Sequence, residues 1–108
     1  MTKSYDRYTY RLTWSEEDQT HIGLCAEFPS LSWLDTSPEK ALSGIRELVK
    51  GCLKDMKKNK EQAPEPIAIK KYSGKFMVRI APEAHRMLTI QAAESGISLN
   101  RLISSKLN

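Results

Sequence analysis

The sequence is short of nearly every feature that marks an enzyme, a secreted domain or a membrane protein. Its 108 residues include two cysteines, Cys25 and Cys52. They form no CxxC pair and no Cys/His cluster, which argues against a zinc site and a disulfide framework and favours a reducing compartment. No apolar run approaches the length of a membrane span, and the opening "MTKSYDRYTYRL" has no apolar h-region. The expectation is a soluble, cytoplasmic protein that does not engage a membrane. Motifs such as GxSxG and HExxH are absent, and the one acidic cluster, Glu16, Glu17 and Asp18, lies in a polar turn where adjacent carboxylates do not converge. No catalytic residue, metal ligand or cofactor is expected, and His21 and His85 are assigned to packing or surface.

What is present is a modest basic excess, unevenly placed. The net charge is +4. Residues 1–72 carry 12 Lys and Arg against 11 Asp and Glu, whereas residues 73–108 carry 5 against 2, so the excess is a property of the tail. A basic segment of this kind suits a nucleic-acid partner. The chain is small enough that association with a second copy is an expected source of stability.

Along the first part, "YTYRLTW" (Tyr8 to Trp14) and "HIGLCAEF" (His21 to Phe28) are rich in β-forming residues, and the polar "SEEDQT" between them predicts a hairpin. "SLSWL" supplies a short third strand. Ser37 followed by Pro38 is a helix start, and Ala41, Leu42, Ile45, Leu48, Val49, Cys52, Leu53 and Met56 then form one apolar stripe. Lys50, Lys54, Lys57, Lys58 and Lys60 crowd the end of that helix, where cations complement its dipole, and are assigned to a solvated helix end. "NKEQAPEP" stops the helix, and "IAI" (Ile67 to Ile69) predicts a fourth strand. The expected first domain is therefore βββαβ over residues 1–70, in an α+β chain.

After the linker "KKYSG", the stretch "KFMVRI" alternates: Phe76, Val78 and Ile80 share one face, and Lys75, Met77 and Arg79 the other. Pro82 opens a helix that Gly96 ends, and Ser98 caps a second helix bearing Leu99, Leu102, Ile103 and Leu107. A lone strand leaves its edges unpaired. Two copies would form an antiparallel ribbon over Phe76, Val78, Ile80, Leu88 and Leu102, with Lys75, Met77 and Arg79 facing outward, and such a ribbon fits the DNA major groove.

"KFMVRIAPEAHRMLTIQAAESGISLNRLISSKL" resembles the ribbon-helix-helix DNA-binding proteins, and the chain from Tyr8 to Leu107 resembles the HicB antitoxin family. The resemblance implies an N-terminal HicB-like domain, a partial RNase H-like sheet with one helix, that neutralises a HicA-like mRNA interferase. It further implies a dimerising ribbon-helix-helix module at residues 74–108 that represses the toxin–antitoxin operon. Carried over by position, base reading falls on Lys75, Met77 and Arg79. Phosphate contact falls on the helix start at Ser98, Leu99 and Asn100. The family's polar middle position in the base-reading triplet is Met77 here, which donates no hydrogen bond. "FPSLSWLD" stands where the family commonly has proline-aspartate-leucine-proline-glycine, and an exposed Trp33 there would mark the toxin-binding surface. The expected partners are operator DNA, a HicA-like toxin and further copies of the chain, as a homodimer or higher homo-oligomer. The alternatives are an orphan repressor whose first domain binds another partner and, in a different class, a small nuclease.

Overall fold

Ser37 turns the chain from strand to helix. Its backbone is extended (φ −99°, ψ 130°), its hydroxyl accepts from the Lys40 amide, and Pro38 occupies the first helical position, where a missing N–H costs nothing. The helix that starts there, α1, runs Pro38–Lys58. The computed structural model of the chain describes residues 4–108, so the first three residues of the expected N-terminal domain lie outside the described residues. Preceding α1 are a short 3₁₀ turn at Ser4–Arg7 and the strands β1 (Tyr10–Ser15), β2 (Thr20–Cys25) and β3 (Ser32–Asp35). Two further helices, α2 (Pro82–Glu94) and α3 (Leu99–Leu107), complete the α+β chain. It divides into two compact units, one ending at Tyr72 and the other spanning Ser73–Asn108.

In the first unit the strands form an antiparallel meander in the order β1-β2-β3. Tyr10 pairs with Cys25, Leu12 with Gly23 and Trp14 with His21; Gly23 pairs in turn with Trp33, and His21 with Asp35. Residues on one row therefore share a face, and α1 covers that face along its middle. Contact is close because Gly23 has no side chain: a Cβ there would overlap the Ala41 carbonyl oxygen and crowd Ile45. The second such approach is at Gly44 of α1, where a Cβ would overlap the Trp33 indole. Ala41, Ile45 and Val49 are fully buried, and Ile45 and Val49 share a core with Tyr8, Cys25 and Phe28. Tyr8 and Phe28 meet edge to face at 5.2 Å, the preferred aromatic geometry. Burial pushes the Cys25 thiol and the Tyr8 phenol up, and pushes Tyr10 up to about 12. Both cysteines are free thiols.

The structure corrects one expected element. Ile67–Ile69 is a turn, not a fourth strand, so the first unit is βββα among the described residues. Its amides are committed elsewhere. The Ile67 N–H donates to the Glu27 carboxylate at 2.9 Å, and the Ile69 and Lys70 amides donate back to the Pro66 carbonyl. With Pro64 and Pro66 lacking donors of their own, no ladder can form through this stretch. It is instead stapled to the hairpin: the Tyr8 hydroxyl donates to the Pro64 carbonyl at 2.8 Å, and Glu27 also accepts from the Thr9 amide and hydroxyl. Burial works against the Glu27 charge, but the Ile67 and Thr9 amides outweigh it and hold the carboxyl below its ordinary range.

Candidate nucleic-acid interface

The second unit begins with the alternating stretch. In the single chain Lys75–Ile80 carries no strand pairing, since no other strand is available in this unit. Phe76, Val78 and Ile80, expected to be interior, are 74%, 59% and 45% exposed. Lys75, Met77 and Arg79 are exposed as well. Both faces of the stretch are thus open to solvent in one copy, and the unit's own buried residues are Ala92 and Leu102, with Leu88 half-buried.

The helical pair behind it is built by well-defined chain signals. Pro82 takes the first position of α2. At the other end, the Gly96 amide donates to Ala93 and the Ile97 amide to Ala92, with Gly96 in the left-handed region at φ 67°. This pair of bonds is the Schellman ending, which needs a residue without a Cβ penalty at that position. Two residues on, Ser98 is extended (φ −72°, ψ 157°), and its hydroxyl accepts from the Arg101 amide at 3.1 Å. The hydroxyl thereby satisfies one first-turn donor of α3. Leu99 and Asn100 form the start of that helix, where amides face outward and the helix dipole favours an anion. Ser98, Leu99 and Asn100 therefore lie together as an anion-compatible helix start, while Lys75, Met77 and Arg79 lie on a stretch whose side chains are unpartnered in one copy.

In the first unit, Trp33 sits on β3, the expected third strand, against Gly44, and is half-exposed. The two close approaches at Gly23 and Gly44 escaped sequence reasoning. The alternating pattern alone could have placed Leu12 and Trp14 on the same face as Gly23. Among the described residues, no His, Cys, Asp and Glu side chains cluster so as to hold a metal ion, and no helix is long and apolar enough to cross a membrane.

Comparison with known proteins yields one finding. The model of the HicB family matches residues 58–107, from the end of α1 through the second unit, which is just under half of the chain. Neither curated proteins nor solved structures give a match. Over that segment the chain is similar to the HicB family.

Proposed function

We propose that the chain is the antitoxin of a toxin–antitoxin pair: its second unit dimerises and binds operator DNA, and its first unit sequesters a HicA-like toxin. The HicB family is in general an antitoxin family, and the match to it covers the segment assigned here to DNA. The observation that carries the reading is the exposed alternation of Phe76, Val78 and Ile80 against Lys75, Met77 and Arg79, directly before a helix pair with a capped α3. A second copy would pair the stretch across its edge and bury the three apolar side chains, worth about 1.5–3 kcal/mol each when fully buried. It would turn two sets of Lys75, Met77 and Arg79 to one side, where a two-stranded ribbon can enter the major groove. The Ser98 helix start would hold a backbone phosphate. The chain acts in this scheme by binding and not by catalysis, in the cytoplasm and without a cofactor.

Fluorescence anisotropy on a duplex from the chain's own promoter and on a scrambled duplex tests the DNA half. Tight, salt-sensitive binding to the promoter alone supports it; equal affinity for both duplexes, or binding that survives Arg79→Ala and is lost with Lys57→Glu, overturns it. The family match omits most of the first unit, and this favours one second reading, an orphan repressor whose first unit binds another partner. Co-expression with a HicA-like toxin encoded beside the gene separates the two, since only an antitoxin restores growth.

A further inference from the structure

After α1 the chain does not run straight on to the second unit. Lys60 takes a left-handed backbone (φ 59°), the Glu61 amide donates back to the Met56 carbonyl at 2.8 Å, and the chain turns to reach Tyr8 and Glu27. Glycine is the residue suited to such a reversal, and here a lysine makes it.

Little holds the returned segment in place. Across residues 61–72, Pro64 and Pro66 are half-buried and the others are exposed. The core of the unit, with the side chains packed against it, is drawn from residues between Tyr5 and Met56, so among the described residues it closes without this segment. Two hydrogen bonds join the segment to the hairpin: the Tyr8 hydroxyl donates to the Pro64 carbonyl at 2.8 Å, and the Ile67 amide donates to Glu27 at 2.9 Å. Its other bonds, from the Ile69 and Lys70 amides to Pro66 and from the Tyr72 hydroxyl to Ile67, stay inside it. A segment with so few buried apolar contacts and such exposed bonds can open locally, far below the cost of global unfolding.

We propose that residues 61–72 form a latch: held shut by Tyr8 and Glu27, it opens by itself while the βββα core stays folded, and its state sets the length of the tether to the second unit. Closed, the last residue fixed to the hairpin is Ile67; open, the last fixed residue is Glu61, at the end of α1. The six residues from Glu61 to Ile67 add up to about 20 Å of extended reach. Pro64 and Pro66 stiffen the freed stretch, so much of that reach is realised. Tether length sets the effective concentration at which a partner held by one unit meets the other. The latch therefore governs how far the two units can act on the same target, whatever each of them binds.

Native-state hydrogen exchange on the full-length chain, followed by NMR in rising sub-denaturing urea, provides the test. The Ile67 amide is expected to exchange through an opening with little urea dependence, and the Ile45 and Val49 amides through global unfolding, with its steep dependence. Glu27→Gln is expected to speed Ile67 exchange about tenfold or more, and Tyr8→Phe about threefold or more. In Glu27→Gln the backbone order parameters of residues 62–70 should fall from about 0.85 to below about 0.6, with the chemical shifts of the sheet retained. An Ile67 amide that opens only with the core, along the same urea dependence, makes the segment part of the core and overturns the proposal. An Ile67 amide as fast as in the unfolded chain shows that nothing is latched, and a Glu27→Gln segment as rigid as wild type shows that Glu27 does not hold it; either result overturns it too. The wild-type exchange needs no variant, so the question is decided even if Glu27→Gln fails to fold.

Discussion

Glu27 does more for the first unit than its position in the sequence suggests. One carboxylate receives the Thr9 amide, the Thr9 hydroxyl and the Ile67 amide, joining the start of the hairpin to a segment 40 residues away. Glu27→Ala leaves those donors to water and is expected to cost about 1–3 kcal/mol, as hydrogen bonds to a charged group do. Because the folded-state pKa is depressed, the contribution is present above the ordinary carboxylate pKa and is lost as pH falls through the folded value. Urea unfolding at a series of pH values should show the wild-type advantage over Glu27→Ala shrinking only on the acid side. Gly23→Ala is expected to be severe for a different reason, overlap with the α1 backbone at Ala41, and should cost about 1–3 kcal/mol or more, the range for overpacking. The sequence does not name the partner of either residue. Glu27 sits among ordinary hairpin residues, and a glycine in a strand signals close approach without saying to what.

At the scale of elements, the three helices were legible because their signals are local. Ser37 with Pro38, Pro82, Gly96 and Ser98 each act on their own backbone, and the structure uses each of them at the expected place. Ser98→Ala should therefore destabilise α3 by about 1 kcal/mol, measurable as lost helicity, and weaken DNA binding to promoter and scrambled duplexes alike, since phosphate contacts carry no sequence information. Arg79→Ala should instead cost about 1–3 kcal/mol per specific contact and narrow the gap between the two duplexes. Strands were read less well, because a strand needs a partner that its own residues do not name. "IAI" has a β-forming composition, yet prolines on its N-terminal side and the pull of Glu27 leave it a turn. "KFMVRI" has the alternation of a strand and finds no partner within one copy of its unit.

For the whole molecule, the two units differ sharply in what they bury. The first has a continuous core under α1, whereas the second encloses Ala92 and Leu102 while Phe76, Val78 and Ile80 stand in water. So little interior is a small return for the ordering of two helices, and the second copy proposed above would cover the exposed apolar side chains. The unit's net positive charge makes that interface compatible with DNA on its outer side. Sedimentation velocity of the full chain beside Val78→Asp tests the requirement for a second copy most directly. Wild type should sediment as a dimer or larger multiple of the 12.3 kDa chain. Val78→Asp should fall to the monomer and lose promoter binding, with the first unit's melting unchanged. A wild-type chain that sediments as a monomer at micromolar concentration, with α2 and α3 fully helical and promoter binding intact, would contradict the assembly on which the proposed DNA binding depends.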